Sequence, residues 1–185
     1  MKMRLAKKEL KKEAKVIINK MDPTLKISFL NTKKMLSAAG YLAKSRTIYL
    51  NVKELRSFYV FFKEAVNISF PDFLTTIIAH EFGHSAHPEQ KEYYSELKNI
   101  FKNYASLSII EKIEKEIEYK TKNLGEEKRA WEVAKKYLDH IPKKQLEYVI
   151  NISLYTYIND LDQEKKILDL VKSGKYDEII EDIIS

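Results

Sequence analysis

At 185 residues, with 44% hydrophobic side chains and only four Gly and four Pro, the chain is long enough for one helix-rich domain with its own core and is not composed like a disordered protein. It has no cysteine, which excludes a disulfide framework and leaves any metal to His, Asp or Glu. The net charge of +6 lies wholly in residues 1–20, where eight basic residues face Glu9 and Glu13; no stretch approaches the roughly 18 apolar residues of a membrane span, and the basic N-terminus lacks the apolar run of a signal peptide, so the expected location is cytoplasmic.

Residues 3–19 read as a basic helix with Met3, Ala6, Leu10, Ala14 and Ile17 on one stripe. Such an arm, residues 1–20, suits nucleic acid, an acidic membrane surface or a protein partner. The plainer expectation is a solvated helix packed on the domain through its stripe. No aromatic residue interrupts the basic run, which argues against single-strand binding by base stacking. Asp22-Pro23 marks a turn. Lys26–Leu30 then alternates like a strand, residues 35–43 hold a second short strand with Gly40 at a bulge or close contact, and residues 46–51 give the strongest strand signal. Val52–Val66 reads as a helix with Leu55, Phe58, Tyr59 and Phe62 toward the core.

Ser69 is the expected N-cap of the next helix and Pro71 suits its first turn. This helix is apolar and runs to about Ala86, before Pro88. The remainder reads as helices over residues 89–107, 109–122, 126–139, 143–158 and 160–171, with a short piece over 176–183. Breaks are expected at Asn123-Leu124-Gly125 and His140-Ile141-Pro142. Residues 112–122 read as an exposed, charge-rich helix face. The fold class is therefore α+β, predominantly α-helical. The expected organisation is one domain over residues 1–185, with a basic arm (1–20), a core (26–140) and a helical tail (143–185).

The apolar helix contains His80-Glu81-Phe82-Gly83-His84. Residues four apart share a helix face, so His80 and His84 can grip one metal ion. Glu81 is rotated by about 100° from His80 and can act as a base without being a ligand. This pattern belongs to zinc hydrolases, with two His on one helix and the intervening Glu as general base. A catalytic zinc takes three protein ligands. Beyond these two, only His87 and His140 remain as histidines, so a carboxylate is expected to complete the set. Glu127, Ala130, Trp131, Ala134 and Leu138 form one inward stripe, and a Glu heading an apolar face needs a partner. Glu126 and Glu132 are the weaker alternatives. His87 is expected to be exposed at the helix end, with a site role or direct ligation as the other readings. His140 reads as a helix-end histidine.

His80-Glu81-Phe82-Gly83-His84 followed by Glu127-x-x-Ala130-Trp131-x-x-Ala134 resembles the gluzincin metallopeptidases. The upstream Ser37-Ala38-Ala39-Gly40 and Thr47–Asn51 also resemble the small sheet of compact zincins, including SprT-like proteins. Small size and a helical tail resemble the archaeal minigluzincins. The resemblance covers residues 26–140. It implies a zincin-like fold with a small N-terminal sheet, an active-site helix and a glutamate helix. It also implies Zn2+ on His80, His84 and Glu127, with Glu81 catalytic, and Thr47–Asn51 as the rim of the cleft and an edge to which an extended peptide adds. Where many gluzincins carry an Asp that supports a ligating His, this chain has Trp131.

The function expected on these grounds is zinc-dependent hydrolysis of a peptide or protein substrate by a metalloendopeptidase. The enzyme is expected to be latent if the arm or the tail covers its cleft, as in a zymogen. The alternative is a zincin-fold regulator or repair protease brought to DNA by residues 1–20. A third reading is a structural zinc with four protein ligands, His87 first among them. The oxyanion-stabilising donor is left open among Tyr137, Tyr148, Tyr155 and Tyr157, and the oligomeric state is not legible.

Overall fold

The computed structural model describes residues 7–31, 37–87 and 90–175. Helices dominate, and the strands form one three-stranded sheet among the described residues. The chain divides into two compact units, Met1–His87 with Arg129–Asn151, and Pro88–Lys128 with Ile152–Ser185.

The first unit begins with helix α1, Lys7–Met21. Leu10, Ala14 and Ile18 are its buried positions, so its stripe follows i, i+4, i+8 and not the expected step to Ile17, which is half-buried. Met3 and Ala6 lie outside the described residues. α1 packs on helix α3 (Phe70–Ser85), and its lysines at 8, 11, 12, 15 and 20 are exposed. The turn that follows is held by Asp22. Its Oδ1 accepts from the Thr24 amide at 2.8 Å and the Thr24 hydroxyl at 2.7 Å, and its Oδ2 accepts from Arg46 at 2.9 Å.

Strands β1 (Lys26–Leu30), β2 (Ala39–Leu42) and β3 (Thr47–Asn51) follow. Their order is β1-β3-β2, with β1 parallel and β2 antiparallel to β3. This corrects the expectation that Thr47–Asn51 is a free edge for an extended peptide. β3 is the central strand, hydrogen-bonded on both sides, and its Ile48 and Leu50 are fully buried. Its strong β-branched and aromatic signal fits a strand enclosed by neighbours. Gly40 forms no bulge. The register runs unbroken from Ala39↔Leu50 to Leu42↔Thr47, and Gly40 is a close contact, because a Cβ there would overlap the Tyr49 phenol.

Helix α2, Val52–Val66, starts directly after β3 and ends at Asn67, whose φ of 53° is the left-handed value that Asn tolerates at a helix end. Its buried stripe is Val52, Leu55, Tyr59 and Phe62. Phe58, expected inside, is 39% exposed. Helix α3 is capped as expected: Ser69 Oγ accepts from the Asp72 amide at 3.2 Å and donates to Asp72 Oδ2 at 2.6 Å. Phe73, Leu74, Ile78 and Ala79 are fully buried, which explains the uninterrupted apolar run. Tyr59 and Phe62 of α2 meet α3 through Phe70 and Phe73, with ring centroids 5.0 to 5.7 Å apart.

The second unit holds helix α4, Gln90–Ile100, and parts of helices α5, Ile109–Lys135, and α6, Lys143–Lys172. α4 is shorter than expected. It ends at Ile100 and a separate 3-10 turn spans Tyr104–Ser106, after Asn103 in a left-handed conformation. α5 is unbroken through Asn123-Leu124-Gly125, which corrects the expected break. Leu124 is buried and Asn123 accepts a hydrogen bond from Tyr93 at 2.9 Å. These contacts offset the roughly 1 kcal/mol that an interior glycine costs a helix. α6 likewise runs through residues 158–160 without a break.

The charged run of residues 112–122 is more than a solvated face. Lys120 pairs with Glu164, Glu114 with Lys172 and Lys122 with Glu96, each at 2.8 Å. The first two pairs run in opposite sequence directions, so α5 and α6 are antiparallel there. Ser108 and Glu111 form a capping box at the start of α5. The helix expected over 176–183 lies outside the described residues. No described helix is long and apolar enough to cross a membrane.

The Asp22 turn yields a pH-dependent test. The Thr24 hydroxyl, the Thr24 amide and Arg46 hold the Asp22 carboxyl below its ordinary value of 3.8. A carboxylate lowered by folding contributes stability above its unfolded pKa and loses it as pH falls through the folded value. Asp22→Asn should therefore lower the urea midpoint at neutral pH, by less than about 1 kcal/mol at this exposed site. The gap to the parent protein should close as the pH is taken well below 3.8.

Candidate metal centre

Helix α3 carries His80, Glu81 and His84 at its C-terminal half. Both histidines are half-buried, and Glu81 is only 7% exposed. The imidazole rings lie 4.8 Å apart and nearly perpendicular, with the two Nε2 atoms 3.3 Å apart. Helical spacing produces this: a step of four residues advances one turn and returns to the same face.

α5 presents Ala130, Trp131, Ala134 and Leu138 as an almost fully buried stripe, with Leu138 just past the helix end. The approach to α3 is backbone to backbone. A Cβ on Gly83 would run into the Ala130 carbonyl, with Ala130 Cα and C at 2.8 Å. Arg129 then donates from Nη2 to the Gly83 carbonyl at 2.9 Å. Less than one turn before Ala130 on the same unbroken helix stands Glu127. One ligand atom each from His80, His84 and Glu127 lies within 4.8 Å of the others, the group of that kind found among the described residues.

Trp131, the one tryptophan of the chain, stacks on the His80 ring at 4.3 Å with 29° between the planes. It holds the imidazole by its face. Its own Nε1 is buried with no hydrogen-bond partner among the described residues.

The donor set fits a zinc-like ion. Two nitrogens each ~2.05 Å from one tetrahedral ion stand ~3.3 Å apart, which matches the separation of the His80 and His84 Nε2 atoms. Two imidazoles and a carboxylate are a hard-to-borderline set that suits zinc. No known protein family, curated protein or solved structure matches the chain.

The other candidates are placed elsewhere. Glu132 is exposed and paired with Lys135 at 2.6 Å. Glu126 and the half-buried His87 are not part of the three-residue group. His140 is exposed, 3.7 Å from Asp72 and 3.8 Å from Asp139. Of the four tyrosines left open by sequence, Tyr137 packs on Phe82 and Tyr148 on Phe62, each edge to face. Tyr155 is exposed and Tyr157 is half-buried on α6.

Two other tyrosines were not singled out by sequence. Tyr93 donates to Asn123, and burial first, then the charge of Glu126, pushes its phenol well above the ordinary range, with Glu127 contributing. Tyr49 lies across Gly40. Burial first, then the charge of Glu81, raises its pKa, against a hydrogen bond with Ser37. The pairing of Gly40 with an aromatic across a hairpin was the available signal for Tyr49.

Gly83→Ala should force α5 away from α3. A loss of about 1–3 kcal/mol in urea unfolding is expected for such overpacking, with a weakened affinity for zinc. Trp131→Leu should weaken zinc binding by about tenfold or more, the scale of lost support behind a ligating histidine. Trp131→Phe, which keeps an aromatic face, should lose less. Equilibrium dialysis of the full chain against zinc checks all three proteins.

Proposed function

We propose that the chain is a zinc-dependent peptidase of the gluzincin type, with His80, His84 and Glu127 as metal ligands and Glu81 as general base. The observation that supports this best is the convergence of His80, His84 and Glu127 to within 4.8 Å of one another, beside a buried Glu81 on the same helix. Three protein donors leave one tetrahedral position for substrate chemistry, as in catalytic sites, whereas structural sites use four. The small sheet, the helix of the two histidines and the helix of the glutamate are also the parts of a zincin-like arrangement.

A zinc ion in this set supplies Lewis acidity, which lowers the pKa of a water and polarises a carbonyl. Glu81 does the proton work. Its carboxylate accepts a proton as water attacks the scissile carbonyl carbon, and it returns that proton to the departing amide nitrogen. Glu127 neutralises part of the cation's charge, and the Trp131 face keeps the His80 ring from turning.

Glu81→Gln preserves size and burial and removes the base. It should bind zinc as the parent does and hydrolyse a quenched-fluorescent peptide library about 10²–10⁴-fold more slowly. Glu127→Ala should lose both zinc and hydrolysis. Parent-like turnover by Glu81→Gln would refute the assignment.

A further inference from the structure

Helix α6 has an inner and an outer face. Val149, Ile150, Leu154, Leu161 and Val171 are buried on the inner face. Glu164 stands on the same side and pairs with Lys120 of α5. On the opposite side Tyr155 is 63% exposed and Ile158 39% exposed. They are three residues apart and so share one patch of the helix surface. The patch lies near the middle of a helix that spans Lys143–Lys172 and is about 45 Å long.

The charges on either side of this patch are ordered. Toward the N-terminal end the same face continues at helical steps of three and four with Asn151, Glu147 and Lys144, and toward the C-terminal end with Asp162, Lys165 and Asp169, all exposed. A second copy of α6, set antiparallel through a two-fold axis beside residues 156 and 157, brings its Ile158 against Tyr155. Going outward, Asn151 meets Asp162 of the second copy, Glu147 meets Lys165, and Lys144 meets Asp169, the members of each pair almost equally far from the axis. The charged pairs are of opposite sign, and the Asn151 amide is a donor for the Asp162 carboxylate. Because such a contact is isologous, each pair occurs twice. A parallel pairing in register would instead set Lys144 on Lys144, Glu147 on Glu147 and Asp169 on Asp169, which repel. The pattern thus selects both the partner and its direction.

We propose that the outer face of α6 is a dimer interface, covered by the same face of a second copy of this chain running antiparallel. The proposal is independent of the peptidase reading and of the metal centre. Tyr155 and Ile158 form the apolar centre, and the polar pairs form a rim that sets the register. With Tyr155 and Ile158 as the large apolar side chains exposed on this helix, the association belongs with weak, reversible contacts and not with obligate dimers. Its rim of exposed charges makes it sensitive to salt.

Sedimentation equilibrium of the full chain, over a concentration series at low salt, tests this. The parent should show a monomer–dimer equilibrium that shifts toward monomer at high salt. Tyr155→Ala should raise the dimer dissociation constant about tenfold or more. Lys144→Asp and Asp169→Lys should each raise it about fivefold at low salt, since each turns both copies of one attractive pair repulsive. The double variant, Lys144→Asp with Asp169→Lys, should return it to the parent value, because the exchange restores the pair across the axis. All three positions are exposed, and both charge changes suit the helix dipole, so no variant should lose melting temperature. A parent that stays monomeric at every concentration overturns the proposal. So does a dimer that Tyr155→Ala leaves unchanged, which would put the interface elsewhere. A double variant as weak as the single ones refutes the antiparallel register and overturns it as well.

Discussion

The contact of Gly83 with Ala130 governs the geometry around it. Two helices whose backbones touch cannot slide or roll without collision, so one close contact fixes both the height and the rotation of α5 against α3. Arg129 reinforces this with a hydrogen bond to the Gly83 carbonyl. That carbonyl lies in the last turn of α3, where partners are scarce and the dipole favours a cation. With residue 130 pinned, the stack of Trp131 on His80 follows from one further step along the helix, and the placing of Glu127 from three steps back. Tight packing here is the positioning device for chemistry.

The support behind His80 is aromatic. A carboxylate behind a ligating imidazole sets its tautomer and raises its basicity. An indole face does neither. It fixes the plane of the ring by contact and excludes water from that side, at the cost of a buried indole N–H without an acceptor among the described residues. The sheet also packs on α3 through β2 and β3, and its central strand is paired on both sides, so among the described residues only the outer strands keep an edge outside the sheet's own pairing.

Much of the fold was legible because its signals were local. The ends of α2 and α3, the cap at Ser69 and the three strands follow from residue preferences within a few positions of each boundary. The inward stripe of Ala130, Trp131, Ala134 and Leu138 was legible for the same reason, as a periodicity on one helix. What was not legible depended on partners far away in sequence. Asn123-Leu124-Gly125 reads as a break until Tyr93 and the burial of Leu124 are known, and Phe58 sits one helical step outside a boundary that only packing draws. Strand order was hidden too: a strand strongly patterned for burial was taken for an edge because its parallel partner, β1, lies some twenty residues away in sequence. Tyr49 went unnoticed for a related reason. Its path is permitted by a glycine on the neighbouring strand, and pairing registers are not written in either strand alone.

The strand order also has a consequence for how the protein assembles. β2 and β3 are joined by residues 43–46 and can close as a local hairpin, an event on the scale of ~1–10 μs. β1 reaches the same central strand only after the chain between them loops back, and α1 must find α3 across a still longer separation. Such non-local pairings bear the larger closure entropy and form late. Helix α1 and strand β1 are thus among the last elements to settle, and the helix of the two histidines is packed on that side only when they do.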